Sequence, residues 1–259
     1  MKKIAVSLLM ALLTCAFSMG CGDSATAPNQ MGTLEVSLTD APGIYEAVNV
    51  TFSEISANID GEWIVVRNQT PITVNLLEWN NGNSMVLGTA EVPAGQYTQI
   101  RVTIDAAEVI ADGNPYEVTV PSGAQSGLKL LADFTINAGS TYQLILDFDA
   151  QRSIVTTGPP NNPTGYLLNP TIRVAEKALT GSISGMLTNP ENNPVAYAMA
   201  GSDTLTSTRV DTNGSFRLAF LPAGLYSVSI ADTLNLTYAS PEAEVVVGSD
   251  NDLGNITLQ

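Results

Sequence analysis

The carboxylates are the groups in this chain whose spacing could do chemistry. Asp147 and Asp149 sit two residues apart in Leu146-Asp147-Phe148-Asp149. On an extended backbone that puts both side chains on one face, about 7 Å apart. Two carboxyl groups at such a distance can cleave a glycoside or share a calcium ion. Asp250-Asn251-Asp252 repeats the spacing after Gly248-Ser249. It offers the alternating oxygens of a calcium loop, although no glutamate closes the twelve-residue EF pattern. Asp40, within Thr39-Asp40-Ala41-Pro42, is a further candidate for a ligand or cation. Trp63 and Trp79 carry flat apolar faces on which a sugar ring could stack.

Each candidate has a plainer use. Acids on the outward face of a strand meet water or pair with a cation on a neighbouring strand, and Arg101 and Lys129 are available to Asp147 and Asp149. Asp40 suits a turn cap that accepts backbone N–H groups. Asp250 to Asp252 reads as a solvated turn between Val247 and Leu253, and Asp211-Thr212-Asn213-Gly214 as a hairpin turn. Single tryptophans in a sandwich belong to the core. Ser126-Gly127-Leu128-Lys129 spells S-x-x-K, yet the S-D-N and K-T-G partners of that nucleophile motif are absent, and the segment Pro121 to Lys129 reads as a crossover between strands. The plainer uses are preferred throughout. No catalytic residue or cofactor is assigned, and Asp147, Asp149, Asp250 and Asp252 are kept only as calcium candidates.

Composition narrows the chemistry further. The 259 residues include 10 Lys+Arg, 25 Asp+Glu, 2 Cys and no histidine. Without histidine there is no Ser-His-Asp triad and no imidazole metal site, and two cysteines cannot build a zinc cluster or a disulfide scaffold. A net charge of −15 argues against nucleic acid as a partner.

The N-terminus reads as an address. Lys2 and Lys3 precede the apolar run Ile4–Met19, which is too short for a membrane span of about 20 residues and suits a secretory signal peptide. Ser18-Met19-Gly20-Cys21, followed by a Ser/Thr/Ala/Pro-rich stretch to about Met31, resembles a bacterial lipobox. That resemblance implies cleavage after Gly20, a lipid on Cys21, a tether over 21–31 and a mature chain with 8 basic against 25 acidic residues. Gly22 after the cysteine, rather than Asp, implies sorting to the outer membrane.

Beyond residue 30 the pattern is strand alternation. Ile100, Val102 and Ile104 alternate with polar residues, as do Tyr142 to Phe148, Phe216 to Phe220 and Tyr226 to Ile230. Parity switches between Phe52 and Ile55, which predicts a β-bulge near Ser53-Glu54. Val92-Pro93-Ala94-Gly95-Gln96-Tyr97 is echoed by Leu221-Pro222-Ala223-Gly224-Leu225-Tyr226, and more loosely by Asn137 to Tyr142. Each is a turn feeding a strand, with a tyrosine placed to bond back across the corner. Thr156 to Gly165 reads as a long loop. These elements define an all-β chain of two consecutive antiparallel β-sandwich domains, Ig-like or transthyretin-like, over 32–175 and 176–259.

Two resemblances follow. Gly181-Ser182-Ile183-Ser184-Gly185, Asn193-Pro194-Val195-Ala196, Val210-Asp211-Thr212-Asn213-Gly214-Ser215-Phe216 and Leu221 to Val228 resemble the carboxypeptidase-regulatory-like family, implying a transthyretin-like accessory module. Gly32 to Pro42, Val48 to Phe52, Val120 to Lys129, Leu146 to Ala150 and Leu168-Asn169-Pro170 resemble a family of bacterial envelope lipoproteins described only as a domain of unknown function. Together they imply a non-enzymatic, lipid-anchored envelope protein that presents sandwiches to a protein or glycan partner. The alternative is a carboxylate hydrolase or calcium-dependent glycan-binding component built on Asp147 and Asp149.

Overall fold

The computed structural model describes residues 30–41, 43, 45–159 and 164–259. The expected signal peptide, Cys21 and the expected tether up to residue 29 lie outside the described residues; the tether's expected end at Met31 is instead the first residue of β1. The first sandwich runs through β1 (Met31–Ala41), β2 (Ala47–Ile59), β3 (Glu62–Asn75), β4 (Met85–Pro93), β5 (Gly95–Ala111), β6 (Asn114–Thr119), α1 (Ser122–Gln125), β7 (Leu128–Ile136), β8 (Thr141–Asp149), α2 (Ala150–Ser153), β9 (Ile154–Thr157), β10 (Gly165–Leu168) and β11 (Ile172–Glu176). One sheet is ordered β11-β8-β1-β4, the other β3-β2-β5-β6-β10-β9 with β7 beside β5. Between them lie the residues the alternation points inward, including Leu34, Val36, Phe52, Tyr97, Ile100, Ile104 and Phe148.

After one 3-10 turn at Lys177–Leu179, the second sandwich is formed by β12 (Thr180–Leu187), β13 (Val195–Ala200), β14 (Asp203–Arg209), β15 (Ser215–Pro222), β16 (Gly224–Ala231), β17 (Thr237–Ala239), β18 (Ala243–Val245) and β19 (Asp250–Ile256). Its sheets are ordered β15-β12-β19 and β14-β13-β16-β17, with β18 also on β16. A separate core gathers Ile183, Phe216, Leu218, Leu221, Val228 and Ile230.

Pairing is mainly antiparallel, but β1 lies parallel to β8, β6 parallel to β10 and β12 parallel to β19. Alternation reports which face is buried and not strand direction, so these crossover pairs left no mark in the sequence. The bulge falls where the parity switched, with register shifts from Phe52 to Ile55 on both sides of β2. Two of the three echoed phrases make the corner: Tyr97 Oη donates to Pro93 O at 2.7 Å and Tyr226 Oη to Pro222 O at 3.0 Å. In the looser copy, Tyr142 Oη donates to Glu176 instead. The segment Thr156 to Gly165 begins and ends as strand, because β9 and β10 form a hairpin.

Candidate functional site

The polar chemistry of the molecule converges where the two sandwiches meet. Arg173 on β11 places Nε and Nη2 at 3.1 and 2.6 Å from Asp147 Oδ2, and its Nη1 donates to Phe220 O across the seam at 2.8 Å. Phe220 has φ 55, a left-handed conformation costly for a residue with a Cβ. That conformation lies where its carbonyl accepts Arg173. Arg209 on β14 donates to Gly43 O at 2.7 Å. In the loop before β4, Asn81 N donates to Thr208 Oγ1 at 2.9 Å, and Asn81 Oδ1 accepts Arg217 N. β14 packs on β1 here. Thr39, Thr206, Ser207 and Thr208 are accordingly buried although they are polar.

Asp147 therefore differs from expectation. It does not face water, being 5% exposed, and its partner is Arg173 rather than Arg101 or Lys129. Arg101 instead pairs with Glu54 at 2.8 Å. The guanidinium of Arg101 and the ammonium of Lys129 lie 4.5 and 5.8 Å from the ring centre of Trp63, which makes Trp63 the base of a surface cation–π contact and not a core residue. Trp79 does pack against the first core. Asp149 caps α2, its Oδ1 accepting Arg152 N at 2.8 Å. Burial, chiefly, pushes its carboxyl above the usual range.

Asp40 is not a local turn cap. It lies in β1, 3% exposed, and its Oδ1 accepts Ala150 N, 110 residues away, at 3.0 Å. Its Oδ2 and Asp147 Oδ1 are buried without a partner. Both side chains line a seam cavity of about 10 Å³, the size of one water. Burial first, then the nearby charges of Asp147 and Asp149, drives the Asp40 carboxyl well above the normal carboxylate range against the pull of the Ala150 hydrogen bond. Burial of this kind favours the protonated form over the charged one.

Asp147 and Asp149 do line one cleft of about 220 Å³, with Arg152, Arg173 and Thr206. Each is already committed, and no tryptophan lines that cleft. Asp250 and Asp252 belong to β19 and not to a turn. Asp250 accepts from Ser182 Oγ and Ser184 Oγ at 2.5 and 2.6 Å, and Asp252 from Gly254 N. Burial raises the Asp250 carboxyl, but the two serines and Arg217 bring it below the ordinary value. Among the described residues no cluster of three or more Asp, Glu, Cys or His could hold a metal ion. Asp211 does make a turn, with Gly214 N on Asp211 O, but it is not the expected hairpin, because the strands it joins, β14 and β15, belong to different sheets. Ser126 closes the single turn of α1, donating to Gly123 O, while Lys129 lies on β7.

A second cleft, of about 390 Å³, opens elsewhere on the seam between Tyr45 and Tyr197. No sequence motif marked it, because its two walls come from different sandwiches.

Fold and seam define a modular all-β protein of two sandwiches joined through a polar, arginine-stitched interface. The chain belongs to the family described as Domain of unknown function (DUF4382), whose model matches residues 31–170. No curated protein matches it. Similar solved structures include the Bacillus anthracis TIE protein (13% identity, 88% of this chain and 34% of that one, TM-score 0.23). GBS52, the minor pilin of Streptococcus agalactiae, is 9% identical over 86% of this chain and 94% of its own, with TM-score 0.22. BcpA, the major pilin subunit of Bacillus cereus, is 10% identical over 88% and 70%, with TM-score 0.20.

Proposed function

We propose that this is an exported, non-enzymatic envelope protein, held at a membrane through a lipid on Cys21, whose two sandwiches present a binding surface to a protein or glycan partner. One observation carries the reading: the acids that could do chemistry are spent on structure. Asp147 is held by Arg173, Asp149 caps a helix, and Asp250 accepts two serines. A hydrolase needs a carboxyl pair open to substrate, and a calcium site needs oxygens not already paired with arginine. The lipobox residues support the anchor, and outer-membrane sorting follows from Gly22. The second sandwich is read as a carboxypeptidase-regulatory-like accessory module, a reading supported by its Asp211 turn and Tyr226 corner.

The anchor is tested by metabolic labelling with a fatty-acid probe in a bacterial host. The wild-type chain should take up label and sediment with membranes, while Cys21→Ser should be unlabelled and recovered in the soluble fraction. Equal sedimentation of both would overturn the anchor.

A further inference from the structure

The seam cleft between Tyr45 and Tyr197 has no structural task that explains its lining. Its walls are fixed relative to each other by the Arg209 bond to Gly43 O. Tyr45 is braced edge-on by Tyr166, with ring centres 6.0 Å apart. Both tyrosines are half-buried, one from each sandwich. The cleft's volume of about 390 Å³ lies in the range of small-molecule sites, which join apolar walls to a few placed polar groups.

We infer that this cleft is a binding site for a neutral saccharide chain, resting on the reading of the protein as a surface that binds a partner. The aromatic rings offer faces for the C–H side of a sugar ring. Among the described residues, the hydroxyls of Tyr45 and Tyr197 and the side-chain amides of Gln151 and Asn193 make no hydrogen bond, and Arg209 uses one N–H on Gly43. Planar amides and guanidinium are the groups that bridge vicinal hydroxyls through paired hydrogen bonds. Glu46 and Asp232 against Arg209 leave the lining with one net negative charge, which disfavours acidic glycans. Burial raises both tyrosine hydroxyls above their usual range, so they remain neutral and can both donate and accept.

The test is calorimetric titration of the full chain in detergent with cello-, xylo-, manno-, malto- and chitohexaose. At least one should bind. Tyr197→Ala should weaken that binding about five- to tenfold and Gln151→Ala about fivefold, while both variants keep the wild-type melting temperature. Trp63→Ala, in β3 and outside the cleft lining, should bind as wild type. Absence of binding to every saccharide at millimolar concentration overturns the inference, as does binding that survives Tyr197→Ala and Gln151→Ala together. Binding that is lost on Trp63→Ala moves the glycan site elsewhere and leaves the surface-binding reading intact. Capture of a peptide partner with no saccharide binding overturns the inference and leaves the surface-binding reading intact.

Discussion

Asp40→Asn tests whether the seam stores a proton. Asp40 Oδ2 and Asp147 Oδ1 are buried, unpartnered and share one small cavity. An asparagine keeps the acceptor for Ala150 N and carries a permanent N–H for Asp147 Oδ1, which the carboxyl can offer only while it is protonated; the variant therefore supplies a missing partner once pH has passed the raised Asp40 value. Supplying one such missing partner is worth about 1–3 kcal/mol. For a unit the size of the first sandwich that raises the unfolding midpoint by about 3–10 °C. The pH dependence carries the sharper signature. The folded Asp40 carboxyl titrates well above its unfolded value of about 3.9. Between the two values the native chain holds a proton that the unfolded chain lacks, so stability is fully present below the unfolded value and falls as pH rises through the raised one. Asp149, raised in the same direction, adds to that slope. Asparagine has no proton to lose and removes the Asp40 share. Thermal unfolding followed by circular dichroism, from pH about 4 to 8, should show wild type weakening toward high pH and the variant flatter and more stable. A variant less stable than wild type at neutral pH would refute the reasoning, since the charge on Asp40 would then be in use. Stabilisation of wild type, but not of the variant, by millimolar calcium would refute it in the same way.

Other substitutions probe the remaining supports. Arg173→Ala leaves the Asp147 charge buried and removes the bond to Phe220 O; it should cost about 3–5 kcal/mol and increase proteolysis at the Lys177–Leu179 link. Tyr97→Phe and Tyr226→Phe each delete one corner bond and should lower stability by about 1 kcal/mol in chemical denaturation, each affecting only its own sandwich. Gly214 has φ +94 and a Cβ there would strike Leu187 O, so Gly214→Ala should lower the melting point by more than a solvent-exposed Gly61→Ala control, although both positions require positive φ.

The parts of the fold that depend on local pattern were legible. Period two located most strands, the parity switch located the bulge, and Pro-Ala-Gly-x-Tyr located both tyrosine corners. The third, looser copy lacks the proline, and Tyr142 turns to Glu176 instead. What the sequence hid was the seam. β8 is buried without a break from Leu144 to Phe148. Alternation assumes one wet face, but the end of β8 is covered by the second sandwich. Asp147 therefore looked outward on paper. Its partner Arg173 is 26 residues away and Asp40 binds a backbone group 110 residues away, and neither separation has a sequence signature. Thr39, Thr206, Ser207 and Thr208 are buried for the same reason.

The scarcity of cations gives that seam its meaning. Eight Lys and Arg remain after Lys3, and five of them, Arg152, Arg173, Lys177, Arg209 and Arg217, line clefts on the interface or cross it. A chain with 25 acids would repel itself at any contact between its halves, and two beads on a string need no contact at all. Polar burial of this kind adds little net stability compared with an apolar interface, because desolvation offsets the attraction. What directional bonds from Arg173, Arg209 and Asn81 do supply is one orientation. The cleft between Tyr45 and Tyr197 exists only in that orientation, because its walls belong to different sandwiches. Loosening the arginine stitches should therefore weaken ligand binding in the cleft without touching its lining, and Arg173→Ala, which does not line the cleft, separates that effect from direct contact.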